Sequence, residues 1–359
     1  MIRVAVPKEI SQGEKRVALV PEVAGRLVKA GFEIRVESSA GLAAHFPDEQ
    51  YTNVGVKIIK DTSELYNGAQ IILKVQSPKM EEIDFFPEGA FLIGLLTPHR
   101  LKEELELFKQ KKITAFALEK LPRITRAQSM DVLSSQATVA GYKAVLIAAN
   151  ISNRFFPMLT TAAGTIRPAK VLILGAGVAG LQAIATSKRL GAIVEAYDVR
   201  RAVKEQVLSL GAKFLEIPVD AEAQGGYARE LTEEEKKAES TMLSKHVAVS
   251  DVVITTAQVP GRPAPRLLTK EMVAQMKPGS VIVDMAAESG GNCELTKAGE
   301  VINQNGVRIE GPVNLPSALS VHASEMVAKN IFNFLMLLTK DGKSLEPDWS
   351  DEVIAGGKL

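Results

Sequence analysis

Short apolar runs alternate with longer amphipathic stretches along almost the whole chain. The runs predict β-strands, and the stretches between them predict helices because apolar residues recur there at helical spacing. In the first half, strands are predicted at Arg3–Pro7, Glu33–Glu37, Ile71–Val75, Phe91–Leu95 and Thr114–Leu118, and helices at Glu22–Lys29 and Lys102–Lys111. In the second half, strands are predicted at Val171–Leu174, Ile193–Tyr197, Lys213–Ile217, Val252–Thr256, Val281–Met285 and Val307–Glu310. This alternation is typical of parallel α/β proteins.

Two helical stretches stand apart from the alternation, one in the middle of the chain and one near its end. Asp131–Ile151 carries little charge and no proline, and Ser324–Leu338 is apolar on one face. A chain of 359 residues is too long for one ordinary domain. We therefore expect two doubly wound Rossmann-like domains with mostly parallel sheets, joined by long helices. The expected N-terminal domain is 1–135 completed by 320–359, and the expected second domain, which contains the glycine turn described below, is 136–319.

Composition narrows the class of protein. The 43 basic and 42 acidic residues nearly cancel, so no field attracts nucleic acid or an anionic membrane. The single cysteine, Cys293, is typical of a reducing compartment. The first residues lack the apolar segment of a signal peptide, and the longest apolar runs, such as 331–338, are too short to span a bilayer. We expect a soluble intracellular protein without direct membrane insertion.

A glycine turn follows the first strand of the second half. Gly175, Gly177 and Gly180 have GxGxxG spacing, and Asp198 ends the next strand 18 residues after Gly180. The first glycine allows the tight turn, the second lets the backbone approach a pyrophosphate, and the third lets helix and strand pack closely. An acid at the strand end accepts hydrogen bonds from ribose hydroxyls and repels a 2′-phosphate. The pattern predicts an NAD(H) site, although Arg200 and Arg201 could hold a 2′-phosphate.

The stretch 218–239 breaks the alternation. Gly225, Gly226 and Tyr227 precede a dense charge run, 233–237. One interpretation is a solvated loop that leads into a surface helix. The other is a mobile flap over the nucleotide, with Tyr227 on a glycine hinge, and the sequence does not favour either.

A second polar cluster lies just before the central helical stretch. It contains Arg123, Arg126, Gln128, Asp131, Ser134, Ser135 and Gln136. A helix start capped by Thr125 or Ser129, with an acid in the first turn, accounts for Asp131. It does not account for two arginines and two glutamines beside a nucleotide-binding domain.

This cluster, PRITRAQSMDVLSSQ, closely resembles a loop of the NAD(H)-binding alpha subunit, domain I, of proton-translocating NAD(P)⁺ transhydrogenases. The resemblance extends over about residues 2–340 and includes GEKRVALVPE, AGYKAV, TAAGTIRPAKVLILGAGVAGLQAIATSKRLGA, GGYAREL, ITTAQVPGRPAP and KPGSVIVDMAAESGGNCE.

The resemblance implies hydride transfer from NADH bound here to NADP⁺ on a partner subunit, coupled to proton movement through a membrane-spanning subunit. It also implies a homodimer, located in the cytoplasm and peripheral on the inner face of the cell membrane. The loop positions at the nicotinamide end are Arg123, Gln128, Asp131 and Ser134. Hydride passes directly between two nicotinamide rings, so the protein must hold the rings and exclude water. No metal is implied.

We expect further cofactor contacts around the glycine turn and at the ends of neighbouring strands. The expected set is Gly175, Gly177, Val178, Ala179, Gly180, Asp198, Val199, Arg200, Tyr227, Thr256, Ala257 and Glu288.

The chain also resembles alanine dehydrogenase, which binds an oxo-acid through an arginine and a lysine and uses a histidine and an aspartate for proton transfer. Arg16 and Lys74 match the first two positions, and Glu288 stands at the aspartate position. An apolar residue, Leu95 or Leu96, stands near the histidine position, and His99 comes too late. Because histidine suits proton exchange near neutral pH, this argues against amino-acid dehydrogenation. His45, His246 and His322 show no metal-ligand spacing. A non-catalytic NAD(H) sensor is the third alternative.

Overall fold

The computed structural model describes residues 1–216, 229, 231–259, 261–340 and 344–359. The chain divides into two compact units, Met1–Gln136 with Pro316–Leu359, and Ala137–Leu315. We call them unit 1 and unit 2. The boundaries expected from the sequence were 135/136 and 319/320.

Unit 1 contains a six-stranded parallel sheet in the order β3-β2-β1-β4-β5-β6. Its elements in chain order are β1 Arg3–Val6, α1 Pro21–Lys29, β2 Glu33–Glu37, α2 Asp48–Thr52, β3 Lys57–Ile59, α3 Thr62–Tyr66, β4 Ile71–Leu73, α4 Met80–Ile83, β5 Phe91–Gly94, α5 Glu103–Gln110 and β6 Thr114–Ala117. The next helix, α6 Val132–Ile151, begins in unit 1 and continues into unit 2.

Unit 2 contains a seven-stranded sheet in the order β11-β10-β9-β12-β13-β15-β14, in which only β14 is antiparallel to its neighbour. Its elements are the hairpin β7 Leu159–Thr161 and β8 Gly164–Ile166, then β9 Lys170–Leu174, α7 Val178–Arg189, β10 Ile193–Tyr197, α8 Lys204–Ser209, β11 Lys213–Leu215, α9 Glu233–Val249, β12 Val252–Thr255, α10 Lys270–Ala274, β13 Val281–Asp284, β14 Val301–Gln304 and β15 Val307–Glu310. Apart from β14 the order is that of a complete dinucleotide-binding fold.

The end of the chain returns to unit 1. It comprises α11 Ser320–Leu337, the short pair β16 Thr339–Lys340 and β17 Ser344–Leu345, and α12 Glu352–Gly357. Val327, Ile331, Phe334 and Leu335 of α11 lie in the apolar core of unit 1, on one face of its sheet.

The predicted fold class, two doubly wound α/β domains with mostly parallel sheets, is confirmed. The strands that the sequence did not predict are β3, the hairpin β7–β8, β14 and the pair β16–β17. They are two to four residues long, and Ile59 is the one buried residue among them, so they lack the apolar run that identifies a buried parallel strand. The charge run 233–237 starts α9, where Thr232 and Glu235 form a capping box. Tyr227 and the expected flap around it lie outside the described residues.

Within the described residues, one helix is long and apolar enough to cross a membrane. This helix is α6, with a mean hydropathy of 1.2 and 44% of its apolar window buried inside the protein. Ala144, Val145 and Ala148 of α6 are fully buried in the core of unit 2. These three residues make α6 part of the apolar core of unit 2.

Candidate functional site

The turn after β9 depends on two glycines. Gly175 has φ +98°, which a residue with a side chain rarely adopts. Its N–H donates to the Tyr197 carbonyl (2.8 Å), and its carbonyl accepts from the Thr256 hydroxyl (3.0 Å). A Cβ on Gly180 would lie 1.9 Å from the Gly175 carbonyl oxygen. These glycines therefore let α7 pack directly on the turn.

The middle glycine faces open space. The atom nearest to a Cβ built on Gly177 is Nη2 of Arg200, at 3.9 Å. Gly177 immediately precedes α7, whose first residues are Val178 and Ala179. The first N–H groups of a helix have no partner inside it and carry partial positive charge. The arrangement fits a pyrophosphate, because the backbone is accessible where these N–H groups begin.

Asp198, at the end of β10, is already bonded on both carboxylate oxygens. Oδ1 accepts from the Arg200 N–H (2.9 Å) and Nε (2.8 Å), and Oδ2 accepts from Arg200 Nη2 (2.7 Å) and the Ala176 N–H (2.8 Å). Asp198 is buried, and the Arg200 side chain is 18% exposed. Asp198 thus stabilises the glycine turn through its hydrogen bond to Ala176. It also pairs with Arg200, one of the two arginines that the sequence analysis named as able to hold a 2′-phosphate.

The end of β12 lies against the same turn. The Thr256 N–H donates to the Leu174 carbonyl (2.8 Å). The Ala257 N–H donates to Oδ1 of Asn292 (3.1 Å), and the Asn292 amide donates to the carbonyls of Ala257 and Pro265 (2.8 Å each). Asn292 is completely buried. It holds two loops at the carboxyl ends of the strands, where open α/β sheets bind ligands.

Asp284 is a second buried polar residue that the sequence did not single out. Its oxygens accept from the hydroxyls of Thr255 (2.9 Å) and Thr296 (2.6 Å) and from the N–H groups of Ala286 (3.0 Å) and Cys293 (2.9 Å). An acid ending an otherwise apolar strand was the available signal. Asp284 fixes the loop after β13, on which Glu288 lies.

Two of the expected cofactor residues, Glu288 and Val199, are less buried than Asp198. Glu288 is exposed, and its carboxylate accepts the Asn314 N–H (3.1 Å). Val199 is half-buried between Asp198 and Arg200 in the chain.

In unit 1, the polar side chains of the loop before α6 fall into two groups: some are exposed, and others form hydrogen bonds within the unit. Arg123 and Gln128 are exposed. Asp131 instead accepts the Ser134 N–H (2.9 Å) and the Ser134 hydroxyl (2.5 Å), so it caps the start of α6. The helix-cap interpretation therefore holds for Asp131. It does not explain the outward position of Arg123 and Gln128.

The other polar residues of the cluster bond within unit 1. Arg126 forms a two-point ion pair with Asp351. The Ser135 hydroxyl donates to Oδ1 of Asn330 (2.7 Å), and Gln136 Oε1 accepts from Arg16 (2.8 Å).

The two cations matched to the oxo-acid site of alanine dehydrogenase are buried in unit 1 and paired with carboxylates. Arg16 donates to Glu14 from Nε (2.9 Å) and Nη2 (2.7 Å). Lys74 Nζ lies 2.5 Å from Glu82 and 3.4 Å from Glu9. Burial raises the pKa of Glu9. Burial also disfavours the Glu14 carboxylate, but the hydrogen bonds and charge of Arg16 outweigh it and lower the pKa of Glu14 to about 2.

The histidine position of that site holds no imidazole. Leu96 is buried, Leu95 is half-buried, and His99 is exposed on the 3₁₀ turn Pro98–Arg100. Among the described residues, no three His, Cys, Asp or Glu side chains are grouped to hold a metal ion. Cys293 is buried, and burial raises the pKa of its thiol.

Comparisons with family models, with known sequences and with solved structures all match this chain over nearly its full length to the same family. The N-terminal domain of the alanine dehydrogenase/PNT family matches residues 5–140, and its C-terminal domain matches 144–359. An NAD(P) transhydrogenase subunit alpha chain of Rhodospirillum rubrum is 47% identical, over 99% of this chain and 95% of that protein. The alanine dehydrogenase of Bacillus subtilis is 30% identical over 88% of this chain and 80% of that protein. The crystal structure of transhydrogenase from Sinorhizobium meliloti superposes with a TM-score of 0.90 at 44% identity, over 99% of this chain and 98% of that one.

Proposed function

The chain belongs to the alanine dehydrogenase/PNT family, and from this premise we propose that it is an NAD(H)-binding subunit of an NAD(P)⁺ transhydrogenase. It binds NADH in unit 2 and passes hydride to NADP⁺ on a partner subunit. The geometry of the glycine turn carries this proposal: Gly177 is open to a pyrophosphate, and buried Asp198 lies at the end of the next strand.

The resemblance of the loop to that of transhydrogenase subunits supports the assignment of Arg123, Gln128, Asp131 and Ser134 to the nicotinamide end. Arg123 and Gln128 are exposed and therefore accessible to a bound cofactor. Gln128, a neutral amide, can bond ribose hydroxyls or the carboxamide without adding charge. Asp131 and Ser134 bond each other at the end of the loop and define its exit into α6. Because hydride passes between two rings, these side chains act by orientation and by excluding water.

The test is reconstitution with an NADP(H)-binding transhydrogenase component. Gln128→Asn shortens the side chain but keeps its chemistry, so we expect hydride transfer to fall on the order of 10²-fold while the Kd for NADH changes little. Gln50→Asn, at an exposed glutamine of α2 in the same unit, is the matched control. Normal transfer by Gln128→Asn would remove the loop from the proposed site.

The same experiment discriminates against amino-acid dehydrogenation. We expect no alanine-dependent reduction of NAD⁺, because the histidine position is apolar and Arg16 and Lys74 are already bonded to carboxylates of the chain. Turnover with alanine, without any partner, would overturn the proposal. Binding of NADH without transfer in any reconstituted complex would favour a sensor.

We propose that the functional assembly contains a homodimer and membrane-spanning partners, with the chain peripheral on the cytoplasmic face of the cell membrane. The hairpin β7–β8 supports the homodimer: five of its six residues are exposed. Met158, just before the hairpin, and Ile166 are 62% and 45% exposed. Isolated two-stranded hairpins are marginal in water, so burial against a partner would stabilise this one.

Sedimentation tests this assembly. Ile166→Lys places a charge on the hairpin, so we expect the dimer fraction of the purified chain to fall by at least tenfold at a fixed concentration. Ile193→Lys, at the exposed start of β10 (48% exposed), is the control. A purified chain that sediments as a monomer at all concentrations contradicts the homodimer.

A further inference from the structure

The loop 123–131 is held from behind by α11. The side-chain amides of Asn330 and Asn333 both donate to the Ser129 carbonyl, at 2.9 and 3.1 Å. Oδ1 of Asn330 also accepts the Ser135 hydroxyl (2.7 Å). Asn330 is buried and its two bonds are partly buried, whereas the bond from Asn333 is exposed. The carboxyl half of the loop is thereby tied to a helix that lies in the core of unit 1.

The middle of the loop is held by the last segment of the chain. Nη1 and Nη2 of Arg126 each lie 2.7 Å from a different carboxylate oxygen of Asp351. Arg126 lowers the pKa of Asp351 through this pair, so the pair stays charged at neutral pH. Oδ1 of Asp351 also accepts the Val353 N–H (2.8 Å) and caps α12. The acid thus joins the loop to a helix start.

The two residues just before the loop, Leu121 and Pro122, lie against α12. A Cβ on Gly357 would lie 2.8 Å from Cδ2 of Leu121, and one on Gly356 would lie 3.0 Å from Cδ of Pro122. Beyond α12, the Leu359 N–H donates to the Ala115 carbonyl of β6 (3.0 Å). Glycine at 356 and 357 therefore permits close contact, and the segment is bound to the sheet as well as to the loop.

The conformation of the loop depends on these contacts because its own hydrogen bonds stabilise it little. Thr125–Met130 is a 3₁₀ helix of six residues without a side-chain cap at its N-terminus. Such helices have poor hydrogen-bond geometry and are seldom this long. Its shape must come from the elements that hold it.

We propose that Arg126 and Asp351, together with Asn330 and Asn333, are positioning residues that fix the loop so that Arg123 and Gln128 face outward for hydride transfer. This inference rests on the proposed function. The C-terminal segment is then part of the catalytic apparatus without touching the cofactor. A displacement of the reacting groups by about 1 Å can lower the rate on the order of 10²-fold.

Asp351→Asn is the decisive variant. Asparagine remains a good N-cap for α12, but it loses the charge and the two-point pairing with Arg126. In the reconstituted complex we expect kcat to fall about tenfold or more, with the Kd for NADH changed less than about twofold. Lys112→Ala is the matched control, because it removes the exposed Lys112–Glu88 pair (2.6 Å) of the same unit.

A double-mutant cycle separates positioning from direct participation. Because Asp351→Asn keeps the cap of α12, we expect Arg126→Gln to lower the transfer rate about as much as Asp351→Asn does and to add little in the Asp351→Asn background. If Arg126 itself touched the cofactor, Arg126→Gln would lower the rate further in that background. That result would overturn the assignment.

Two readouts do not depend on hydride transfer. Trp349 is the single tryptophan of the chain, lies on Phe116 (centroids 6.4 Å apart, 10° between planes), and reports by its emission whether the segment stays bound. Amide hydrogen exchange reports how firmly the loop is held in its folded conformation. We expect Asp351→Asn to keep the emission of Trp349 but to accelerate exchange at 124–130. Unchanged exchange overturns the positioning role, whereas absence of transfer by the unaltered chain contradicts only the proposed function.

Discussion

At the scale of single residues, we expect the ion pair Asp198–Arg200 to determine which nucleotide the proposed site accepts. The Arg200 guanidinium donates to both carboxylate oxygens of Asp198, so the acid neutralises its positive charge. A 2′-phosphate would meet a neutralised arginine beside a buried acid. The chain should therefore prefer NADH over NADPH, because the Arg200 guanidinium is already paired with Asp198.

Asp198→Asn tests this directly. It releases Arg200 to bind a 2′-phosphate, so we expect the ratio of Kd values for NADPH and NADH to fall by about tenfold or more, on the scale of one charged hydrogen bond. Titration of the nicotinamide fluorescence measures both values. Adding Arg200→Ala to Asp198→Asn should abolish the gain. A ratio that Asp198→Asn leaves unchanged places cofactor choice elsewhere, for example at Arg201.

Buried Glu14 makes part of the stability of unit 1 dependent on pH. Its pKa is about 2 in the folded chain against an ordinary value of 4.5, so its contribution is complete above pH 4.5 and is lost as the pH falls toward 2. Gln76 donates one of the hydrogen bonds that stabilise the carboxylate (2.8 Å). We expect Gln76→Ala to raise the pKa of Glu14 from about 2 toward the ordinary value of 4.5, since one hydrogen bond to the carboxylate is lost. Carboxyl ¹³C NMR measures the titration, and Gln50→Ala is the control. A pKa that stays near 2 shows that Arg16 alone sets it.

The sequence predicted the glycine turn and Asp198 because strand, turn and helix follow directly from residue type and spacing. It did not predict that Arg200 would turn back onto Asp198, because a side-chain rotamer depends on tertiary surroundings. Asn292 and Asn330 escaped notice for a similar reason. A buried asparagine and an exposed one look alike in a sequence.

At the scale of elements, α6 and α7 meet through their backbones. A Cβ on Gly141 of α6 would lie 2.2 Å from the Ala179 carbonyl oxygen, in the first turn of α7. The same turn begins beside Gly177, so any outward shift of α7 moves the proposed phosphate-binding groups. The sequence predicted both helices, but their contact was not predictable because no periodic pattern encodes which faces pack together.

Gly141→Ala tests this close contact between α6 and α7. In an unconstrained helix the change stabilises by about 0.5–1 kcal/mol. Here we expect the opposite sign, a loss on the order of 1–3 kcal/mol from overpacking, together with weaker NADH binding. Thermal unfolding and fluorescence titration measure the two effects. Asn150→Ala, at an exposed position of α6, should leave both within error. A more stable Gly141→Ala variant contradicts the close contact.

At the scale of the whole molecule, the two units differ in how the chain builds them. Unit 2 is one continuous segment, Ala137–Leu315, whereas unit 1 takes residues from both sides of it. The two cores are correspondingly different. The core of unit 2 is complete within its own segment, while that of unit 1 includes Phe334 and Leu335 of α11.

This discontinuity has a consequence for the protein as it leaves the ribosome. At roughly 5–20 residues per second, the segment between the two parts of unit 1 takes on the order of 10–40 s to synthesise. During that interval the nascent N-terminal sheet lacks α11, and the apolar residues that α11 covers in the finished protein lie open to solvent. Unit 2 can meanwhile fold. The N-terminal part is thus the one that a nascent-chain chaperone would need to shield, until residues 320–335 have left the ribosome.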